Sequence, residues 1–120
     1  MTTVSVIIPT YQRPAFLAIA LQSIQNQIFE DFEAIVVNDS PACHDAVEQI
    51  VSDLNDTRFT IVHNSEPLGG SESRNIGIRK SSGEIIAFLD DDDRWMPAYL
   101  SQHVATHRKH PTAGAVTCTV

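Results

Sequence analysis

The chain has 120 residues, a length that favours one compact domain over two. Hydrophobic residues make up 42% and charged residues 19%, a composition that can build a buried core and argues against a disordered chain. With 8 basic against 15 acidic residues the formal charge is −7. Lys and Arg form no cluster, which excludes a protein that holds nucleic acid by its phosphates.

No apolar run approaches the roughly 20 residues that cross a bilayer. The stretch from Val4 to Pro9 is apolar, but it is short for a signal peptide and lacks a basic flank. We therefore expect a native start at Met1 and a cytosolic protein, with membrane association left open for the complete protein. Cys43 and Cys118 lack CxxC spacing and are expected to be reduced thiols.

Short β-branched runs alternate with segments of helical period, and this alternation predicts a parallel sheet flanked by helices. The first predicted elements are a strand at Val4–Ile8, a helix from Pro14 with Leu17, Leu21, Ile24 and Ile28 at helical spacing, and a strand at Phe32–Asn38. Next come a helix that carries Val47, Ile50, Val51 and Leu54, a strand at Phe59–His63, and a helix at Ser71–Lys80. The last elements are a strand at Glu84–Leu89, a helix at Pro97–His110, and a strand at Gly114–Val120.

Polar residues follow the carboxyl ends of the predicted strands. Ligands of open α/β sheets bind beyond these ends. The ends carry Pro9-Thr10-Tyr11, Asn38-Asp39-Ser40, His63-Asn64 and the acidic run Asp90-Asp91-Asp92-Asp93. We therefore expect a ligand site at this edge of the sheet.

The acidic run suggests a cation. Adjacent carboxylates at a strand end repel one another and resist joint desolvation unless a cation neutralises them. Their hard oxygen atoms suit Mg²⁺ or Mn²⁺, which take one or two carboxylates together with substrate phosphates. A solvated acidic turn, with Asp93 capping the following helix, explains the run equally well when it is taken alone.

Four blocks of the sequence, in order, closely resemble family 2 of the glycosyltransferases, whose fold is called GT-A. The segment Gly83–Pro97 resembles the family's GE-hydrophobic strand, its DxD motif and the W-x-P that follows. The other blocks are Val4–Arg13, Gln27–Glu33 with Ile35–Ser40, and Asn64–Gly77, which contains Gly69-Gly70 and Ser73-Arg74-Asn75. The chain departs from the pattern at Asn38, where the family usually has aspartate, and at Ser73, where alanine is commoner.

This resemblance implies a Rossmann-like, mostly parallel sheet flanked by helices, with residues 1–120 as the nucleotide-sugar-binding part of a truncated GT-A domain. It implies a metal-dependent enzyme that moves a sugar from a nucleotide-sugar, with UDP the expected nucleotide, to an acceptor hydroxyl with inversion. In the family the general base lies in the acceptor-binding half, beyond Val120. We therefore expect this portion alone to bind donor with little or no transfer.

The resemblance also implies roles for single residues. Pro9 and Thr10 offer backbone to the nucleotide base, Tyr11 stacks on it, and Asp39 accepts the imide N–H of uracil. Competing explanations make Tyr11 a rim residue of the core and Asp39 a turn residue or helix cap.

The charged residues of the expected site face the phosphates, the ribose and the metal. The resemblance places Arg74 on the nucleotide and the acidic loop, and Arg13 is a weaker candidate for a phosphate contact. It places Asp91 on the ribose and Asp92 on Mg²⁺ or Mn²⁺, with Asp90 in a supporting position. A surface ion pair is the competing explanation for Arg74.

Two other function classes would use residues at the same edge of the sheet. A non-catalytic nucleotide-binding or interaction module would use the same residues without transfer. A phospho-receiver domain needs an acidic pair after its first strand, where this chain has Pro9-Thr10-Tyr11, and a lysine after its fifth.

Overall fold

The computed structural model describes residues 2–109, which form a four-stranded parallel sheet flanked by helices. In chain order the elements are β1 (Val4–Thr10), α1 (Pro14–Gln25), β2 (Phe32–Asn38), a 3-10 helix (Pro41–Cys43), α2 (His44–Leu54), β3 (Phe59–His63), α3 (Gly70–Lys80), β4 (Ile85–Phe88) and α4 (Tyr99–Lys109). The predicted α/β class is therefore confirmed. The strand predicted at 114–120 lies outside the described residues.

The order of the strands defines where a ligand can bind. The sheet has the order β3-β2-β1-β4, and each neighbouring pair is parallel. The chain moves outward from β1 to β3 on one side and then places β4 on the other side of β1. The direction of winding reverses between β1 and β4, and open α/β sheets bind ligands beyond the carboxyl ends of the strands at such a reversal.

Alternate residues of β1 enter two hydrophobic clusters, because successive side chains of a strand point to opposite faces. Val4, Val6 and Ile8 are buried in a cluster that includes apolar residues of α1, α2 and α4. Ile7 is buried in a second cluster, against which Ile76 of α3 packs. Cover on both faces explains why the first strand is almost uniformly apolar.

One prediction about α1 was wrong. The helix ends at Gln25, so Ile28 is not part of its apolar stripe and is 67% exposed. Gln27 takes the inward position instead: its side-chain amide donates to the carbonyl of Met96, and its Oε1 accepts from the N–H of Leu100. These bonds tie the end of α1 to Met96 and to the first turn of α4.

Gly77 of α3 lies directly against Ile7 of β1, and a β-carbon at this position would overlap the Ile7 side chain. We expect Gly77→Ala to lower the free energy of unfolding by about 1–3 kcal/mol, the usual effect of overpacking a core. Lys80→Ala, on the exposed last turn of the same helix, should change it by less than about 0.5 kcal/mol. Urea denaturation measures both variants. Wild-type stability of Gly77→Ala would show that α3 does not need this close approach.

Candidate functional site

A cavity of about 310 Å³ opens at the carboxyl ends of β1 and β4, where the winding of the sheet reverses. Its wall combines the end of β1, the residue after β2, the start of α3 and the residues after β4. All nine residues singled out from the sequence lie in this wall: Pro9, Thr10, Tyr11, Arg13, Asp39, Arg74, Asp90, Asp91 and Asp92. The wall also contains Gly70 and Ser73, to which the sequence motifs assigned no role in the site.

Asp91 joins the two strand ends. Its side chain is 9% exposed, and its Oδ2 accepts a hydrogen bond from Thr10 Oγ1 at 2.9 Å and one from the backbone N–H of Tyr11 at 3.2 Å. Its Oδ1 lies 3.6 Å from Arg13 Nη1. The carboxylate thus fixes the loop after β1 against the acidic run. The ribose contact expected for Asp91 stays a prediction. Oδ1, the oxygen that faces Arg13, is the atom that could make it.

Tyr11 is an exposed residue of the cavity wall. The residue is 46% exposed, whereas the preceding Thr10 is 4% exposed. Asp91 holds the Tyr11 backbone N–H, and the next residue, Gln12, has a φ of 55°, so the chain turns sharply there. Tyr11 belongs to neither hydrophobic cluster of the described residues, which disfavours its role as a rim residue of the core. An exposed ring at a strand end can stack on a nucleotide base.

Asp39 anchors the loop between β3 and α3. Its Oδ1 accepts from Asn64 Nδ2 and from the backbone N–H of Leu68, both at 2.8 Å, and its Oδ2 accepts from the N–H of Gly69 at 2.9 Å. Burial by itself raises the pKa of Asp39, but these hydrogen bonds outweigh it and hold the pKa below its usual value. The partners lie in the loop rather than in the following helix, so Asp39 is not a helix cap.

Two further residues support this anchor. Ser73 is fully buried and Asn64 is 7% exposed, and Asn64 Nδ2 donates to Ser73 Oγ at 3.3 Å. Gly69 has a φ of 94°, a left-handed conformation that glycine adopts without strain. In the sequence, only their positions indicate a role for these two residues in the site. Asn64 directly follows β3, and Ser73 lies in the first turn of the next helix.

Three carboxylates of the acidic run face one another. One oxygen atom from each of Asp90, Asp92 and Asp93 lies within 4.8 Å of the other two, and all three residues are exposed. This set of hard, accessible oxygen atoms fits Mg²⁺ or Mn²⁺, which complete their shells with water and phosphate. The competing role of Asp93 as a helix cap is wrong, because α4 begins only at Tyr99.

Two guanidinium groups pair with the facing carboxylates. Arg13 Nη1 lies 3.0 Å from Asp92 Oδ2, and Arg74 Nη2 lies 3.0 Å from Asp90 Oδ1. All four side chains are between 40% and 54% exposed, so these are solvent-accessible ion pairs. Each pair lies in the cavity wall, where its guanidinium is also available to a phosphate.

Trp95, two residues after the acidic run, is buried in the hydrophobic core. It is 7% exposed, and its ring stacks on Tyr99 with ring centroids 4.4 Å apart. Its backbone N–H donates to Ser23 Oγ of α1 at 3.1 Å. The exposed carboxylates are therefore carried on a loop whose far end is packed into the core.

The family model of glycosyl transferase family 2 matches residues 5–120 of the chain. The chain belongs to glycosyltransferase family 2. It is 35% identical over 102 residues to the putative colanic acid biosynthesis glycosyl transferase WcaA of Escherichia coli (strain K12). The match covers 85% of this chain and 37% of WcaA.

Two solved glycosyltransferases share the fold. The mannosyltransferase PcManGT from Pyrobaculum calidifontis, in complex with GDP-Man and Mn²⁺, superimposes with a TM-score of 0.87 at 29% identity, over 97% of this chain and 35% of that one. S. aureus TarS 1-349, in complex with UDP-GlcNAc, superimposes with a TM-score of 0.82 at 25% identity, over 98% of this chain and 37% of that one. The sheet is therefore that of the GT-A glycosyltransferases. The chain spans just over a third of the length of these proteins.

The described part of this family 2 chain contains no helix with both the length and the apolar content that a membrane crossing requires.

A second group of potential metal ligands, which the sequence reasoning missed, lies at the end of β3. Ligand atoms of His44, Glu48 and His63 lie within 4.8 Å of one another. Asn38 Nδ2 donates to the backbone carbonyl of Ser40 while its Oδ1 accepts from the Ser40 N–H, which fixes the direction of the amide. His63 Nδ1 must then accept from Asn38 Nδ2, so its proton is on Nε2 and is donated to Glu48. This tautomer has no lone pair for a metal at Nε2.

Asp39→Asn tests the loop anchor. The variant keeps one acceptor but turns an NH₂ group toward a backbone N–H, so we expect the loop to lose about 1–3 kcal/mol of stability. Hydrogen exchange at the Leu68 and Gly69 amides should accelerate accordingly. The pKa of Asp39 in the folded protein lies below the unfolded value of 3.8. The extra stability of the wild type over Asp39→Asn is therefore fully present above pH 3.8, and it is lost as the pH falls through the lower folded pKa.

Asp53→Asn, on an exposed position of α2, is the matched control and should leave both amides unchanged. Equal exchange in Asp39→Asn and the wild type at neutral pH would contradict the anchoring role.

Proposed function

We propose that this family 2 member is a metal-dependent, inverting glycosyltransferase that moves a hexose from a UDP-sugar to an acceptor hydroxyl. Residues 1–120 form its donor-binding part. The observation that supports this most strongly is the cavity at the β1–β4 reversal, because its wall combines an exposed aromatic ring, two guanidinium groups and carboxylates that face one another.

The nucleotide base lies against Tyr11 in this proposal. Stacking on an aromatic ring contributes about 1–3 kcal/mol per base, and Pro9 and Thr10 offer backbone beside it. Asp39 Oδ2 accepts from the N–H of Gly69 in the described hydrogen bonds and keeps acceptor capacity for the imide N–H of uracil. S. aureus TarS, which is similar in fold, binds UDP-GlcNAc.

The diphosphate lies between the arginines and the acidic run. Asp92, assisted by Asp90 and Asp93, would hold Mg²⁺ or Mn²⁺, and the similar PcManGT is in complex with Mn²⁺. A metal bound there supplies positive charge to the departing nucleoside diphosphate. Arg74 and Arg13 lie in the same wall and can each donate charge-assisted hydrogen bonds to phosphate oxygens.

Attack by the acceptor requires a base outside this portion. Transfer with inversion needs a general base that takes the proton of the acceptor hydroxyl. The chain spans 37% of WcaA, and we assign the base and the acceptor site to the remaining length of such a protein. By itself this portion should bind donor without appreciable transfer. The name of WcaA places that relative in colanic acid biosynthesis, and we propose polysaccharide assembly as the process here.

Calorimetric titration of the full-length protein with UDP tests the donor site. With Mn²⁺ present we expect binding, and Asp92→Asn should weaken it by at least about tenfold because a metal ligand is lost. Asp53→Asn removes an exposed carboxylate far from the cavity and should bind UDP as the wild type does. An affinity for UDP that does not depend on Mn²⁺, or that is unchanged in Asp92→Asn, would refute the metal-dependent donor site.

A further inference from the structure

We propose that Arg13 acts as an internal cation that is exchanged for the metal. Without donor its guanidinium pairs with Asp92. When the nucleotide-sugar arrives, Arg13 moves to the diphosphate and leaves Asp92 to the divalent ion, so that metal and nucleotide bind cooperatively. This inference rests on the proposed function, since it assumes that the acidic run binds a divalent ion together with a diphosphate.

The first observation is that one carboxylate serves two cations. Asp92 belongs to the trio of facing carboxylates, and the same side chain is 3.0 Å from Arg13 Nη1. A divalent ion on Asp92 would place two like charges beside one carboxylate. The Arg13–Asp92 pair and the metal therefore compete, and the competition weakens metal binding as long as Arg13 has no other anion.

The second observation is that Arg13 has a fixed partner and an exchangeable one. Asp91 is almost fully buried and is held through its Oδ2 by Thr10 and Tyr11, so its Oδ1, 3.6 Å from Arg13 Nη1, stays in place. Asp92 is half-exposed and has no comparable tether among the hydrogen bonds of the described residues. The guanidinium can therefore release Asp92 while it remains beside Asp91.

The third observation concerns the second arginine of the cavity wall. Arg74 pairs with Asp90, another member of the trio, at 3.0 Å. The facing carboxylates are thus already partly neutralised, which disfavours a divalent ion alone. A diphosphate supplies the anionic oxygen atoms that both guanidinium groups need. Metal and nucleotide should each raise the affinity of the other by the same factor, as thermodynamic linkage requires.

The test measures Mn²⁺ binding to the full-length protein by the loss of the free-ion electron paramagnetic resonance signal, with and without UDP. Arg13→Gln should bind Mn²⁺ roughly two- to fivefold more tightly than the wild type without UDP, the size expected for an exposed ion pair. The factor by which UDP tightens Mn²⁺ binding should shrink by at least the same amount. Arg13→Lys keeps the charge and should fall between the two.

Arg79→Gln is the matched control, because it removes an arginine from an exposed ion pair with Glu72 on α3. It should leave the Mn²⁺ affinity and the effect of UDP unchanged. If Arg13 acted only through long-range repulsion, Arg13→Gln would tighten Mn²⁺ equally with and without UDP, and the exchange would be refuted. Unchanged or weaker Mn²⁺ binding in Arg13→Gln would also refute it. Absence of Mn²⁺ binding in the wild type would overturn the metal site of the proposed function as well.

Discussion

The carboxylate of Asp91 is the contact on which the site depends. It joins the loop after β1 to the acidic run after β4 through Thr10 Oγ1 and the Tyr11 N–H, across 80 residues of sequence or more. The contact is almost completely shielded from water, which makes its hydrogen bonds stronger than exposed ones. Without this link the exposed aromatic ring and the exposed carboxylates would have no fixed relation to one another.

A second buried carboxylate of the cavity wall acts in the same way. Asp39, at the end of β2, holds the amides of Leu68 and Gly69, and this fixes the start of α3 and thereby the backbone that carries Arg74. Buried carboxylates therefore position the cavity wall, while the exposed carboxylates and guanidinium groups form solvent-accessible ion pairs that a ligand can reach. The topology explains the location, since a parallel sheet whose winding reverses between β1 and β4 leaves a crevice there.

The sheet could be predicted from local patterns. The residues of the cavity wall could be predicted from the polar ends of the strands together with the resemblance to family 2. An apolar run such as Val4–Ile8 predicts a strand covered on both faces, and the polar residues after each strand must gather at one edge. Contacts between distant segments were not predictable. The bonds of Asp39 to the Leu68 and Gly69 amides, and the pairing of Arg13 with Asp92, depend on how loops fold over the sheet. Ile28 was misplaced because the helix ends at Gln25, earlier than the apolar spacing suggested, and Gln27 is the buried residue instead.

The most direct measurement of the central claim is a crystal structure of the full-length protein with Mn²⁺ and UDP, with the ion located by its anomalous scattering. The account predicts an Mn²⁺ peak bonded to Asp92 and to the diphosphate, with the uracil ring against Tyr11. An Mn²⁺ peak away from the acidic run, or a nucleotide bound outside the crevice between β1 and β4, would contradict it.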